Sequence, residues 1–339
     1  MTFIKQVGTS ISLAIVATLL SGCGDSKAPA GGEGGGEKPT AQGKRKFVGI
    51  GTATPGGTFT AVGEAISTVV DAGKGDLNWV ISAEATKGTK ENIRRLEAGD
   101  IQFGMANAAI SYFAVKGEGW DKPYAIRAVA TIAPNIGVFI TPKNSGITTI
   151  AGLKGKRVVL GPSGAGFDFF LKPLLKAHGI AYEDLTEQNA PYSGAVDMLS
   201  DGKADAAFMG GAIPIGAVTQ ACSTMDIGFI PITTEAAATL EAQYPFYFTL
   251  PIPAGTYTDL DTDLTGINVG NMQLLTHANI DDDTVYQFTK IMYENRTKIA
   301  ERHPAGKALN PKNVIKNVGT PFHPGAIKYY KEIGIWPEQ

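Results

Sequence analysis

Apolar residues follow two kinds of spacing along this chain from residue 46 onward. Continuous apolar runs at residues 46–51 and 78–82 are short and are flanked by glycine or polar residues, as buried β-strands are. Between these runs Phe59, Val62 and Ile66 recur three or four positions apart, which is the spacing of an amphipathic helix. This stretch therefore predicts a strand, a helix and a second strand.

The same alternation continues towards the C-terminus. A helix is predicted with Thr89 as its N-cap and Gly99 at its end, and a long helix is predicted after a capping Asp281. Alternating strands and helices predict parallel sheets with helices on their faces. Further strands are predicted at residues 101–105, 136–141, 157–160, 204–209, 227–232 and 268–275, and further helices before Gly179 and at residues 195–199.

The first residues have the order of a secretion signal. Lys5 precedes an apolar run at residues 11–20, and about 10 residues is half of the about 20 that a membrane-spanning helix needs. The run ends in Leu20-Ser21-Gly22-Cys23, which looks like the lipobox of bacterial lipoproteins. We therefore expect residues 1–22 to be a signal peptide and Cys23 to carry a lipid that anchors the chain to a membrane, in the periplasm or at the cell surface.

Residues 23–45 contain almost no apolar side chains and are rich in glycine, proline and glutamate. Such a segment cannot bury enough apolar surface to offset its ordering entropy, so we expect it to be a flexible tether. The remaining residues, 46–339, are enough for two domains of ordinary size.

Composition and charge exclude several classes of function. The formal net charge is −2 and no lysine or arginine cluster occurs, so no nucleic acid is expected as a partner. The 4 histidines lack metal-ligand spacing, and we expect neither a metal nor another cofactor. If Cys23 is lipidated, Cys222 has no partner for an intramolecular disulfide and is expected to be a small buried residue.

Motifs of enzymes are incomplete in this sequence. Residues 51–58 have the spacing of a P-loop, but Gly57 stands where the phosphate-binding lysine belongs. Residues 161–166 have glycines at the wrong offsets for a dinucleotide fingerprint and do not form a Gly-x-Ser-x-Gly elbow. Because no paired carboxylates for acid–base chemistry can be identified either, we predict that the protein is not an enzyme.

Glycine-rich loops follow four of the predicted strands, at residues 52–58, 86–89, 163–166 and 210–212. Ligands of parallel α/β sheets bind beyond the carboxyl ends of the strands. The first three loops carry serine or threonine and lead into helix N-termini, where bare backbone N–H groups attract anions. Their repetition in two halves of the chain predicts an anion-binding site.

Several segments together carry a family resemblance, and they follow one another in the same order over residues 46–332. His323 and Tyr329 lie in the last of them and are expected to be structural. The segments are residues 49–59, 88–94, 99–107, 205–208, 252–257, 283–286, 293–295 and 322–330. Taken together they resemble the TAXI-type solute-binding proteins of tripartite ATP-independent periplasmic (TRAP) transporters.

This resemblance implies a type II periplasmic-binding-protein fold, which is an α/β fold of two lobes joined by two crossing strands. The crossing strands would lie near residues 136–141 and 268–275. Lobe 1 would contain residues 46–136 plus 267–339, and lobe 2 would contain residues 137–266. A hinge motion would close the lobes over a ligand in the cleft.

The resemblance also implies a function and its partners. The protein would be an extracytoplasmic receptor that binds a small organic anion, such as an amino dicarboxylate, a 2-oxo acid or a dicarboxylate, and delivers it to integral-membrane TRAP permease subunits. We expect a monomer. A receptor of an ATP-driven importer and a ligand sensor are alternatives. An enzyme on this fold would need Cys222 or a histidine in the cleft.

The expected ligand-binding residues come from both lobes. Helix N-termini and hydroxyls would capture a carboxylate, and Phe59, which stands where family members often have tyrosine, would form a packing wall. Lys87, Tyr192 and Tyr247 are further candidates for the cleft. The predicted ligand-binding residues are Gly57, Thr58, Phe59, Thr86, Gly88, Thr89, Asn107, Ser163, Gly164, Gly166, Gly210 and Gly211.

Overall fold

The computed structural model describes residues 45–54 and 57–337. These residues belong to one compact unit, Lys44–Gln339. The expected signal peptide, the lipidated Cys23 and nearly all of the tether lie outside the described residues. Within the described part of the chain, no helix combines the length and the apolar character needed to cross a membrane.

The strands of the described residues form two sheets. The first sheet has the order β2-β1-β3-β12-β4, and the second has the order β10-β11-β5-β8-β6-β7, with β9 paired to β5 outside that path. The strands are β1 Lys46–Gly51, β2 Trp79–Glu84, β3 Phe103–Asn107, β4 Ile126–Thr131, β5 Ile136–Pro142, β6 Arg157–Val159, β7 Thr186–Gln188, β8 Ala206–Gly211, β9 Ile227–Ile230, β10 Tyr247–Ile252, β11 Leu264–Val269 and β12 Met272–His277.

Helices pack against both sheets and bury the apolar faces that the sequence predicted. On the first of them Val62, Ile66 and Val70 are fully buried, so the helical spacing of these residues is explained by the core. The helices are α1 Thr58–Gly73, α2 Thr89–Ala98, α3 Ala108–Lys116, α4 Asp168–Ala177, α5 Tyr192–Ser200, α6 Gly216–Thr224, α7 Thr234–Gln243, α8 Asp282–Glu294, α9 Arg296–Arg302, α10 Pro311–Val314 and α11 Pro324–Glu332.

Both sheets are mixed, so the prediction of parallel sheets is wrong in part. β1 is parallel to β2 and β3, and β6 is parallel to β7 and β8. β12 is antiparallel to both β3 and β4, and β5 is antiparallel to β8, β9 and β11. β5 and β12 each enter a sheet from the other sheet, and β10 is also antiparallel to its neighbour β11. The alternation of strands and helices does not encode these directions.

The chain passes from one sheet to the other at two adjacent places. Residues 132–135 connect β4 to β5, and residues 270–271 connect β11 to β12. The continuous strand predicted at residues 268–275 is therefore two strands, separated at Gly270, whose φ of 116° is open to glycine but not to most residues. The strand at Ile136–Pro142 lies wholly in the second sheet, and the crossing precedes it.

Buried asparagines hold the two crossing segments together. The Asn135 backbone N–H donates to the Asn268 side-chain oxygen at 2.8 Å, and the Asn268 amide donates to the Asn271 side chain at 3.1 Å. The amides of Asn135 and Asn107 both donate to the Gly270 carbonyl, at 2.9 and 3.2 Å. Because all four asparagines are buried, this network satisfies polar groups that would otherwise be costly at the crossing.

Aromatic side chains join the two sheet-bearing halves into one core. Phe113 of α3 lies 5.7 Å from Phe169 of α4 and 5.8 Å from Tyr244, measured between ring centroids. Its neighbour Tyr112 lies 5.4 Å from Phe246 in an edge-to-face arrangement. Aromatic pairs of this geometry stabilise the folded protein by more than the burial of their apolar area alone would. The structure therefore shows the two halves in contact, with apolar packing between them.

The N-caps of the helices agree with the sequence at α8 but not at α2. The Asp281 side chain accepts a hydrogen bond from the Thr284 N–H at 2.8 Å, which is the expected cap of α8. Thr89 is not the N-cap of α2, because Gly88 holds that position and Thr89 is the first helical residue. The Thr89 hydroxyl instead accepts a hydrogen bond from the Asn107 N–H at 3.0 Å. The Thr89 hydroxyl therefore bonds to the end of β3 and does not cap its own helix.

Replacing Asp281 with asparagine should remove a contribution to stability that depends on pH. Burial opposes the ionised form, but the Thr284 hydroxyl and N–H and the Lys46 ammonium outweigh it and lower the pKa of Asp281 from 3.8 to about 2. A carboxyl whose pKa is lowered by folding stabilises the protein above its unfolded pKa, and this stabilisation is lost as the pH falls through the folded pKa.

Because the Asp281 side chain is 61% exposed, we expect Asp281→Asn to lower the free energy of unfolding by less than about 1 kcal/mol near pH 6. Urea unfolding at several pH values should show the difference shrinking as the pH falls from about 4 towards 2. Asp283→Asn is the matched control, because it removes the same charge from an 85% exposed side chain on the same helical turn. A pH-independent difference would contradict the prediction.

Candidate functional site

Two of the predicted glycine-rich loops lie side by side at the carboxyl ends of the parallel strands β1 and β2. The Thr86 N–H donates to the Ala53 carbonyl at 3.3 Å, and the Thr86 hydroxyl donates to the Thr52 carbonyl at 3.1 Å. The same hydroxyl accepts a hydrogen bond from the Gly88 N–H at 3.1 Å. Thr86 therefore fastens the loop after β2 to the loop after β1.

Each of these loops opens a helix whose N-terminus has no side-chain cap. Gly57 precedes α1 and Gly88 precedes α2, and neither glycine can cap its helix with a side chain. At α2 the Thr86 hydroxyl accepts from the Gly88 N–H, and the Glu91 carboxylate accepts from the preceding Lys87 N–H at 3.1 Å. The first N–H groups of a helix have no partner within the helix and carry the positive end of its dipole. Thr58 and Phe59, in the first turn of α1, are partly exposed. The first N–H groups of α1 are thus available to an anion, whereas the N-terminus of α2 also carries the Glu91 carboxylate.

Asn92 lies beneath the two loops and was missed by the sequence analysis. Its side chain is fully buried, and its amide donates to the carbonyls of Gly51, Thr52 and Met105 at 3.2, 2.7 and 2.8 Å. A Cβ atom at Gly51 would lie 2.5 Å from the Asn92 side-chain oxygen, so only glycine fits there. One amide therefore binds the carboxyl ends of β1 and β3 to α2.

The side chains of Asn107, Thr86 and Thr89 make hydrogen bonds within the protein. The Asn107 side chain caps α3 by accepting from the Ala109 N–H at 2.9 Å, and its amide donates to the Gly270 carbonyl. Thr86, Thr89 and Asn107 are all buried. The structure brings them together as a scaffold for the loops, and direct contact between their side chains and a ligand stays a prediction.

The second sheet contributes a loop of unusual backbone conformation. Gly161, Gly164 and Gly166 have φ values of 92°, 77° and 91°, which favour glycine. Ser163 and Gly164 are exposed, whereas Gly166 is buried against the other half of the protein. A Cβ atom at Gly166 would lie 2.9 Å from the Lys90 side chain and 3.1 Å from Ile110.

Gly210 and Gly211 lie at the end of β8 rather than in a free loop. They pair with Gly137 and Ile136 of β5. The Tyr192 hydroxyl donates to the Gly210 carbonyl at 3.0 Å and accepts from its N–H at 2.8 Å. The N–H and the carbonyl of Gly210 therefore both bond to a side chain of the protein. Tyr247, another candidate for the cleft, is buried and donates to the Phe170 carbonyl.

A cavity of about 280 Å³ lies where Lys90 meets the loop of the second sheet. Of the predicted ligand-binding residues, Gly164 and Gly166 line it. Lys90 was not among the predicted site residues, because only the folded chain brings it to this cavity. Lys87, the lysine that the sequence suggested for the cleft, is exposed. The lining residues are Lys90, Leu160, Pro162, Gly164, Gly166, Phe167, Asp168, Lys172, Tyr182, Glu187 and Asn189.

Cys222 and the histidines are the groups that an enzyme on this fold would need. Burial raises the pKa of the Cys222 thiol to about 11, so that it is protonated at neutral pH and a poor nucleophile. His323 is fully buried and caps α11 through the Gly325 N–H at 3.2 Å, and His303 accepts from the Ala305 N–H in the same way. Among the described residues, no three His, Cys, Asp or Glu side chains are grouped as metal ligands.

Comparison with known proteins gives a family and a fold. A profile of the NMT1-like family matches residues 50–334. PhnD1 from Prochlorococcus marinus, solved in complex with methylphosphonate, is 12% identical with a TM-score of 0.53, and the match covers 85% of this chain and 96% of that one. A protein of Xanthomonas citri bound to ATP is 9% identical with a TM-score of 0.51, covering 85% and 95%.

A protein of Bordetella bronchiseptica is similar to the same degree, at 14% identity and a TM-score of 0.51, with 84% of this chain and 88% of that one covered. At such identities the likeness concerns the fold. Together with the two sheets and their two connections, it confirms the predicted α/β periplasmic-binding-protein fold.

Proposed function

The chain belongs to the NMT1-like family, and we propose that it is an extracytoplasmic receptor that captures a small organic anion between its two lobes. The observation that carries this proposal is the pair of uncapped helix N-termini at Gly57 and Gly88, which Thr86 fastens together. The two helix N-termini carry the positive ends of their helix dipoles, which favour a carboxylate or a similar anion.

The lobes of this proposal are residues 46–136 plus 267–339 and residues 137–266, closing by a hinge at the two connections. The contact of Gly166 with Lys90 and Ile110 supports closure over the loops of the first sheet. Binding without turnover is supported by a protonated Cys222 and by histidines that serve as caps.

Delivery to a TRAP permease is the finer part of the proposal. It rests on the TAXI-type segments of the sequence and on the expected lipid at Cys23, which would hold a monomeric receptor beside its membrane partner. Metabolic labelling with a radioactive fatty acid should mark the wild-type protein and leave Cys23→Ser unlabelled. Equal labelling of both would exclude Cys23 as the anchor.

A thermal-shift screen tests the receptor proposal. A version that begins at Lys44, where the compact unit starts, would be screened against 2-oxo acids, dicarboxylates, amino acids, phosphonates and sugars. A solute held at 100 times its Kd should raise the free energy of unfolding by about 2.7 kcal/mol. Stabilisation by a small organic anion supports the proposal. Stabilisation only by sugars would contradict an anion site, and native mass spectrometry would detect a solute that was purified with the protein.

A further inference from the structure

Lys90 is placed between the two halves of the protein. It belongs to the first turn of α2, and its Cγ and Cδ atoms occupy the space beside Gly166 where a side chain would otherwise begin. Ile110 of α3 packs beside it against the same glycine. The stem of Lys90 therefore spans the boundary between the uncapped helix of the first half and the glycine loop of the second.

Two aromatic rings, one from each half, hold the ammonium group of Lys90. Its Nζ lies 5.2 Å from the ring centroid of Phe169 and 5.8 Å from that of Trp120, and these rings stack on each other at 5.5 Å. Cation–π contacts of this kind orient a cation without neutralising it. The Trp120 indole N–H is also buried without a hydrogen-bond partner in the described structure.

The positive charge of Lys90 has no carboxylate to balance it. Across the described residues no carboxylate oxygen lies within 4.0 Å of its Nζ, although Asp168 and Glu187 line the same cavity. The other lysine of the cavity, Lys172, lies 3.7 Å from the Glu183 carboxylate. A partly buried, unpaired cation is costly unless an anion joins it.

We propose that Lys90 is the specificity-determining cation of the cleft: it pairs with the bound anion and holds the second lobe closed over it. This inference rests on the proposed receptor function and deepens it. A ligand of the same shape without negative charge would leave the ammonium unpaired and would therefore bind more weakly. The charge of the ligand is thus coupled to closure through one side chain that contacts both lobes.

Three variants of the full chain separate charge from packing. Lys90→Met keeps an unbranched stem beside Gly166 and removes the charge, whereas Lys90→Arg keeps the charge. Lys312→Met is the matched control, because it removes the same charge from an exposed lysine in the first turn of another helix, α10, away from the candidate site residues. Inorganic sulfate serves as the probe, titrated against thermal stability at constant ionic strength, so that the test does not depend on knowing the natural solute.

Sulfate should stabilise the wild-type protein, Lys312→Met and Lys90→Arg at similar concentrations, and Lys90→Met only at concentrations about tenfold higher or more. Equal sulfate dependence of Lys90→Met and Lys312→Met would overturn the proposal for Lys90. The receptor function is judged separately, by whether any organic anion of the screen binds the wild-type protein. If one binds, its neutral amide should bind more weakly to the wild-type protein, and this preference should be smaller in Lys90→Met, where only the helix N-termini still favour the anion.

Discussion

Replacing Asn92 with aspartate is expected to lower the free energy of unfolding by about 3 kcal/mol or more at neutral pH. The amide of Asn92 donates to three backbone carbonyls in a fully buried position. An aspartate has the same shape but, when ionised, places a negative charge against three carbonyl oxygens. When protonated it has one donor for three acceptors.

The destabilisation by Asn92→Asp should also depend on pH. Burial and the surrounding carbonyls favour the neutral acid, so the folded-state pKa of this aspartate lies above its unfolded value. A raised pKa means that stability is greatest at low pH and is lost as the pH rises from about 4 through the folded pKa. Urea unfolding at pH 5 and pH 8 measures this, and the variant should be the less stable at pH 8.

Asn144→Asp provides the matched control for this change. Asn144 is exposed, so the same gain of charge should alter stability by less than about 0.5 kcal/mol at either pH. If Asn92→Asp were as stable as this control at pH 8, the three hydrogen bonds beneath the loops would not exist in solution.

Replacing Gly166 with alanine is expected to weaken ligand binding by a factor of about 10 to 100. The added Cβ would meet the Lys90 side chain at 2.9 Å and Ile110 at 3.1 Å, and both residues belong to the other half of the protein. Under the proposed hinge motion the clash arises only when the halves are closed on each other, so closure itself becomes less favourable. A less populated closed form reduces the apparent affinity in proportion.

Gly164→Ala separates this effect from backbone strain. Both glycines have positive φ, at 77° and 91°, but a Cβ at Gly164 meets nothing within 4 Å. Both variants carry the cost of a left-handed alanine, and only Gly166→Ala obstructs closure. Calorimetric titration with the anion found in the screen measures affinity, and small-angle X-ray scattering should show a larger radius of gyration for Gly166→Ala alone. Equal behaviour of the two variants would contradict the closed arrangement.

Local patterns were sufficient for most of the elements near the site. The strands β1 and β2 and the helix α1 follow from apolar runs and helical spacing, because each has one buried face or lies wholly in the core. The helix α3 shows no such spacing, since Ala108, Ile110 and Phe113 are buried on different sides of it. The split of residues 268–275 into β11 and β12 has Gly270 as its local mark, but the sequence does not show that the chain crosses to the other sheet there.

The candidate site was predictable in its backbone and not in its side chains. Glycines at loops before helices are visible in the sequence. Gly57 and Gly88 do precede helices, and Gly166 lies at the boundary between the halves beside Lys90 and Ile110. Lys90 and Asn92 look like ordinary helix residues. Their roles depend on which carbonyls, rings and glycines the fold places beside them, and one sequence does not give that placement.

The order of strands in the first sheet has a consequence for how the chain is made. β12 lies between β3 and β4, so this sheet has a gap at its centre until residue 277 has been synthesised. The strands of the second sheet, from β5 to β11, form one continuous stretch that is complete earlier. A nascent chain folds as its contacts become available, and here the N-terminal strands must wait for a late partner. If the first residues are a secretion signal, as the sequence predicts, this delay would favour an N-terminal half that is still unfolded when it is threaded through a translocation channel.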